Sequence, residues 1–403
     1  MPQTTVLMLL TNAYDPDPRV RQEALSLLGM GCRVRILAWD RDLRAPARDC
    51  LEGVDVERVF VASSHGRGPT QIFAYILVYL KILWRGMRAR FDAVHCHDLD
   101  TLPVGFLLGK LGGTPVVYDA HESFPDMLEG SVPDALRRGL MRLESFFMRR
   151  VDLVITVGEK LRRHLAERGA ARSVVVGNWK RLAEFARTDA QNIEVRRSLG
   201  VPDGALLIAC ITHLVTNRKV EELIAAVADC PNVHVIIAGS GALRERVAHA
   251  AATNPRILFP GFVSGQTIAE YTCAADAIYY GFDPDNPNAR FSAPNKLFEA
   301  LAAGRPLITG NFGEIADVVR KAKCGVVLAE YSTSEIQKAF GILADDRIRH
   351  EMSDNAARVG RLSMNWEKGE EVLYREYSSL LPGLREPRRE PNQGVAQVSG
   401  IGR

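Results

Sequence analysis

Short runs of aliphatic and β-branched residues alternate with segments whose apolar positions recur at helical spacing, from one end of the chain to the other. That alternation predicts parallel α/β sheets rather than sandwiches or bundles. Val6 to Leu10 reads as the first strand, Arg19 to Leu28 as a helix, and Arg33 to Ala38 as the second strand. Val54 to Val61 and Ala93 to Cys96 follow as strands, with a long helix over Thr70 to Arg88 between them. Val116 to Tyr118, Leu153 to Val157 and Ser173 to Val176 complete a first doubly wound unit.

A polar stretch from about Asn178 to Asp203 reads as a linker with a partial helix, and then the pattern restarts. Leu206 to Ile211 is a strand, and Val220, Leu223, Ile224 and Val227 place one apolar face on the next helix. Val233 to Ala238, Ile257 to Phe259, Ala277 to Tyr280, Pro306 to Thr309 and Gly325 to Leu328 supply further strands. The expected fold class is α/β, with two Rossmann-like doubly wound parallel-sheet domains facing a central cleft, where ligands of open α/β sheets bind beyond the strand C-termini. The expected division is 1–180 for the first domain, 181–365 for the second, 366–381 for a final helix and 382–403 for a loose, Pro/Gly/Arg-rich tail.

Composition narrows this picture only slightly. Hydrophobic residues make up 47% of the 403 and charged residues 25%, the usage of an ordinary globular protein. The 51 Lys and Arg against 48 Asp and Glu leave +3, too small an excess for a dedicated nucleic-acid binder. Seven dispersed cysteines without a C-x-x-C pair read as reduced thiols, and the first residues lack the pattern of a signal peptide, so a cytoplasmic protein is expected. The most apolar stretch, Ile72 to Trp84, contains Lys81 and would span ~20 Å as a helix, short of the ~30 Å hydrocarbon core. Locally the charge is less even: Arg137 to Arg172 holds ten basic residues against four acidic ones. With the apolar Ile72 to Trp84 segment and Arg85, Arg88 and Arg90, this suggests docking on an anionic membrane, the inner face of the plasma membrane. Core-packed helices with solvated arginines are the equal alternative.

The strongest chemical signal is the passage Ser292-Ala293-Pro294-Asn295-Lys296-Leu297-Phe298-Glu299, which runs on to Gly304-Arg305-Pro306. Pro294 opens a helix and Gly304 ends it, so the helix N-terminus faces the cleft, where unpaired amides and Lys296 suit a phosphate. Glu299, one turn further in, suits the two hydroxyls of a ribose. An ordinary capped helix with solvated Lys and Glu is the competing account. His95-Cys96-His97 invites a metal reading, but on a strand Cys96 points away from both histidines, so no metal is expected. His97 and Asp98 then read as cleft-lining groups on the acceptor side. Asn12 to Arg21, with Asp15, Asp17 and Arg19, shapes the same side.

With these residues the chain resembles the GT-B glycosyltransferases, specifically the large retaining family 4 group. The resemblance covers nearly all of residues 4 to 381. In that family two glutamates, separated by seven residues, mark the donor site; Glu299 matches the second, and Phe291 stands at the first. The loop Ile211-Thr212-His213-Leu214-Val215-Thr216-Asn217-Arg218-Lys219 is similar to the one whose Arg and Lys clamp the donor diphosphate, with His213 at the Arg position and Arg218 at the Lys position. Gly239 and the Gly261-Phe262-Val263 loop match the nucleotide-seating turns, and Ser292 and Asn295 complete the donor set. His121, in Tyr118-Asp119-Ala120-His121-Glu122, is implied to lie beside the donor sugar; alone, it reads equally as structural.

The resemblance implies transfer of a hexose-type sugar from a UDP- or GDP-linked donor to a glycan, lipid-linked or small-molecule acceptor. It implies retention of configuration, His121, Arg218 and Lys296 as catalytic groups, no cofactor and no metal, and a last helix crossing back to the first domain. The alternative is a catalytically silent module of the same fold that binds a nucleotide sugar or a partner protein. A dehydrogenase-type dinucleotide site is disfavoured, since Gly239-Ser240-Gly241-Ala242-Leu243-Arg244 lacks the third glycine.

Overall fold

A computed structural model describes residues 3–14, 17–63 and 69–386, with the backbone alone at 69–72. Eight strands make a first sheet: β1 Thr5–Leu10, β2 Arg33–Asp40, β3 Arg48–Leu51, β4 Val54–Phe60, β5 Ala93–His97, β6 Val116–Ala120, β7 Leu153–Thr156 and β8 Ser173–Val175. Their order is β3-β4-β2-β1-β5-β6-β7-β8. Six more form a second sheet, β9 Leu206–Ile211, β10 Val233–Ala238, β11 Ile257–Gly261, β12 Ala277–Tyr280, β13 Leu307–Gly310 and β14 Gly325–Leu328, in the order β11-β10-β9-β12-β13-β14. The pairings in the second sheet are parallel throughout. Both sheets are interleaved with helices, so the α/β reading of the sequence holds. One strand escaped it: β3 pairs antiparallel with β4, four residues with alternate positions exposed and no apolar run to announce them.

The chain divides into two compact units. One comprises Met1–His95, Leu107–Pro115 and Leu373–Arg403; the other comprises Cys96–Phe106 and Val116–Val372. In the first unit, β1 and β2 pair in parallel through Leu7 to Arg35 and Leu9 to Leu37, and β2 pairs in parallel with β4. The final helix, Trp366–Leu380, contributes Tyr377 to this unit, where its hydroxyl hydrogen-bonds His95 Nδ1 at 2.7 Å in full burial. His95 in turn lies 3.4 Å from Glu23, whose carboxylate pairs with Arg19 at 3.1 Å. The expected loose tail is ordered at its start, where the Arg385 amide donates to the Met30 carbonyl at 3.0 Å; residues 387–403 lie outside the described residues.

In the second unit, every residue of β9 and β10 is buried, as parallel strands covered on both faces require. Val220, Leu223 and Val227 of the Val220–Ala228 helix pack into this core with Ile208, Val235 and Phe340. The linker's partial helix is Asp189–Ser198, closed by a capping box of Thr188 and Gln191. Glu314 ties β7's following helix to the second sheet's layer: its carboxylate accepts the amides of Glu159 at 3.0 Å and Lys160 at 2.8 Å. Lys160 Nζ returns the contact to the Gly313 carbonyl at 2.7 Å. None of the described helices is long and apolar enough to cross a membrane.

Candidate functional site

The second unit contains a cavity of about 330 Å³. On one side it is walled by the segment that ends β6 (His121, Glu122), by Val157 after β7 and by Asn178. On the other it is walled by Thr212, His213 and Arg218 after β9, by Tyr280 and Phe282 at the end of β12, and by the run Asn288 to Lys296. These groups meet because parallel strands deliver their C-terminal ends to one edge, where the chain leaves the sheet into loops.

One end of the cavity gathers cationic side chains around a helix N-terminus. The Asn295–Ala303 helix starts there behind Pro294, with no side chain capping its first amides, and it ends at Gly304 in the left-handed region at φ 63°. A helix end alone contributes about 0.3–1 kcal/mol toward an anion, so the neighbouring cations decide the site's strength. Lys296 stands in the first turn, paired with Glu299 one turn on, and Glu299 is buried. Arg218 reaches in from the Thr216–Arg218 turn. Its guanidinium lies over Phe282 at 4.6 Å and Tyr280 at 5.3 Å, donates to the Tyr280 hydroxyl, and leaves a buried Nε without a hydrogen-bond partner. Lys180, a third cation, donates to Asn295 Oδ1 at 2.8 Å; burial, with a smaller push from Lys296, lowers its pKa.

The turn that carries Arg218 depends on two glycines. Gly239 has φ 143°, and a Cβ there would lie 1.9 Å from the Thr212 carbonyl oxygen; at Gly281 a Cβ would lie 2.2 Å from the Arg218 carbonyl oxygen. The glycine turn after β10 therefore lets the loop after β9 lie against it. Gly239 and Val263 themselves do not line the cavity, nor does Glu299, whose carboxylate is paired with Lys296. His213 lines it and is exposed. Ser292 and Asn295 line it as well.

At the opposite wall His121 is clamped by two carboxylates. Its Nε2 lies 2.8 Å from Asp119 Oδ2, its Nδ1 lies 3.2 Å from Asp98 Oδ2, and its amide donates to Asp98 Oδ1 at 3.2 Å. Asp98 makes these contacts from the left-handed region at φ 62°, which aspartate tolerates better than most residues. Burial alone would lower the His121 pKa, but Asp98 and Asp119 outweigh it and raise the pKa well above the ordinary value. Asp98 is correspondingly held low: burial opposes its ionisation, and His121 more than compensates. The resemblance implied His121 beside the donor sugar; in this structure it lines the cavity with both ring nitrogens engaged by carboxylates.

The acceptor-side candidates separate. His97 is buried, with Nδ1 3.3 Å from Asp119, and lies behind His121 rather than on the cavity wall. Asp17 caps the Pro18–Gly29 helix by accepting the amides of Arg19 and Val20, and Arg19 is buried against Glu23; both serve the first unit's fold. Asp15 lies outside the described residues. Phe291 stands at the cavity, stacked on His164 with ring centroids 4.4 Å apart.

Sequence reading missed Glu122, Asn288, Tyr280 and Phe282, all on the cavity wall. Tyr280-Gly281-Phe282 directly follows a strand, and Glu122 follows His121, so position was the available signal. No spacing rule pairs Glu122 with Asn288.

Two family profiles match the chain: a glycosyl transferase 4-like domain over residues 16–179 and glycosyl transferases group 1 over residues 191–359. The D-inositol 3-phosphate glycosyltransferase of Nocardia farcinica is 23% identical over 385 residues, 88% of this chain and 83% of that protein. Sucrose-phosphate synthase from Thermosynechococcus elongatus superposes with a TM-score of 0.76 at 18% identity, over 93% of this chain and 99% of that one. HepE of Anabaena, solved in complex with UDP-glucose, superposes with a TM-score of 0.70 at 16% identity, over 94% and 100%. The two profiles together span most of the chain and the structural likeness extends over nearly all of it: this protein belongs to the group 1 glycosyltransferases of the GT-B fold.

Proposed function

We propose that the cavity holds the diphosphate and sugar of a nucleoside diphosphate sugar, and that the chain transfers its hexosyl group to a glycan, lipid-linked or small-molecule acceptor. The observation that carries this reading is the convergence of an uncapped helix N-terminus, Lys296 and the stacked Arg218 on one cavity. Breaking the bond between the anomeric carbon and the distal phosphate leaves an electron pair on the phosphate oxygen. Arg218, Lys296 and the helix amides offset that charge where it develops. The acceptor oxygen attacks from the face the phosphate leaves, its proton passes to the departing phosphate oxygen, and configuration is retained. No metal ion takes part in this reading, so transfer in excess EDTA proceeds at the undiminished rate.

Glu299, buried beneath Lys296, receives the ribose hydroxyls and orients the lysine. Replacing Glu299 with alanine is expected to weaken nucleoside diphosphate binding by about tenfold or more, since it removes charge-assisted bonds worth roughly 1.5–3 kcal/mol. Unchanged affinity by calorimetry would remove Glu299 from the site.

An anionic membrane surface fits the first unit. On the Pro69–Met87 helix Phe73, Ile76, Leu77, Leu80, Trp84 and Met87 are all exposed, between 49% and 68%, and residues 69 to 90 contain no acidic group. Arg88 lies over Trp84 at 3.6 Å, a basic group set against the apolar stripe. In the basic segment from Arg137 to Arg172 half of the ten charges are paired: Arg137 with Asp126, Arg162 and Arg163 with Glu159, Arg168 with Glu144 and Lys160 with Asp317, so the membrane assignment rests on the Pro69–Met87 helix. Flotation with vesicles containing phosphatidylglycerol is expected to carry the protein, and a Leu80→Glu, Trp84→Glu variant is expected to stay behind. Equal flotation of both would contradict the assignment.

A further inference from the structure

The cavity has a second pole. On the wall that follows β6 stands Glu122, the one carboxylate among its described lining residues. Its Oε2 accepts a hydrogen bond from Asn288 Nδ2 at 3.0 Å, which fixes the carboxyl plane. Asn288 is itself held on the Pro287–Phe291 turn, where its amide donates to Asn286 Oδ1 at 3.0 Å. Glu122 is partly buried in the cavity wall, which together with the nearby charge of Asp98 raises its pKa, and a carboxyl so placed gains from any donor brought into the cavity. The neighbouring His121 cannot satisfy it, because both its ring nitrogens are engaged by Asp98 and Asp119.

We propose that Glu122, oriented by Asn288, is the sugar-binding carboxylate of this chain, gripping hydroxyl groups of the donor's hexosyl ring and excluding donors whose sugar carries a negative charge. The inference rests on the donor-site reading above. A phosphate is repelled by this wall and held by Arg218 and Lys296 at the other. The group attached to that phosphate is therefore the one presented to Glu122. What a desolvated carboxylate accepts is a pair of neutral O–H donors, the chemistry of an unmodified hexose. A uronic acid would place a second carboxylate against the first. Phe291 contributes ring surface to the same cavity and no acceptor, so the hydroxyl-binding duty falls on Glu122.

The test is calorimetric titration of the unaltered chain, E122A and E122Q with UDP, UDP-glucose and UDP-glucuronate, or with GDP, GDP-mannose and GDP-mannuronate if only GDP binds. The bare diphosphate is expected to bind all three proteins within about twofold, which also shows that the variants are folded. The neutral sugar nucleotide is expected to lose roughly tenfold in affinity with E122A and less with E122Q, which keeps one acceptor oxygen. The uronate is expected to bind the unaltered chain at least about tenfold more weakly than the neutral sugar, with that gap closing in E122A. The proposal is overturned if E122A binds the diphosphate normally and keeps full affinity for the neutral sugar nucleotide. If the unaltered chain binds neither UDP nor GDP, the donor-site reading falls, and this inference with it.

Discussion

Replacing Arg218 with alanine is expected to lower turnover of the nucleotide sugar by about 10²–10³-fold while leaving the fold intact, the range measured when one preorganised charge-stabilising donor is removed. The guanidinium is positioned before any ligand arrives: stacked over Phe282 and Tyr280, donating to the Tyr280 hydroxyl, with a buried Nε left without a hydrogen-bond partner. Because it packs against aromatic rings at the edge of the second sheet and carries no buried ion pair, its loss costs little stability. Lysine at this position keeps the charge and forfeits the planar stack, so R218K is expected to recover only part of the loss. Steady-state kinetics with near-normal turnover in R218A would place charge stabilisation elsewhere.

A second large effect is expected from a residue that touches no ligand. In G239A the new Cβ would sit 1.9 Å from the Thr212 carbonyl oxygen on a backbone at φ 143°, where a side chain is already strained. The loop Thr212 to Arg218 must move away to make room, and the carbonyl is backbone, so no rotamer change relieves the clash. Destabilisation of about 2–4 kcal/mol is expected, together with loss of nucleoside diphosphate binding, because Thr212, His213 and Arg218 all line the cavity. Gly265 is the control: a Cβ there meets nothing within 4 Å, and G265A is expected to melt and bind like the unaltered chain. Thermal denaturation of the two variants side by side checks the argument, and equal melting temperatures would refute it.

The strands of both sheets were legible because buried parallel strands must be continuous apolar runs, and runs such as Leu206 to Ile211 and Val233 to Ala238 end within a residue of the observed boundaries. The edge strand Arg48–Leu51 was not, since half its positions face water and its pairing is decided by β4. The helix opening at Asn295 was legible from Pro294 and Gly304, which mark its two ends by backbone geometry alone. Electrostatics read far less well. Five of the ten basic residues between Arg137 and Arg172 pair with carboxylates, and partners such as Asp126 and Asp317 lie outside that segment and meet it only in space. The clamp on His121 shows the same limit: Asp119 is two residues away, but Asp98 arrives from the end of β5, and the two together raise the pKa of the ring. Asp17 and Arg19, expected to shape the acceptor side, are instead claimed by a helix cap and a buried ion pair, which no local pattern announces.

The central claim is that the cavity between Glu122 and Arg218 is a nucleoside diphosphate sugar site. Its most direct test is the melting temperature of the purified protein with UDP, GDP or ADP, each against the matching nucleoside and inorganic phosphate. Ligand at about a hundredfold above its dissociation constant stabilises a native protein by roughly 2.7 kcal/mol. The account predicts that one of the three diphosphates raises the melting temperature by several degrees, that its nucleoside and phosphate alone do not, and that the shift shrinks in the Glu299→Ala and Arg218→Ala variants. A melting temperature unmoved by all three diphosphates would contradict it.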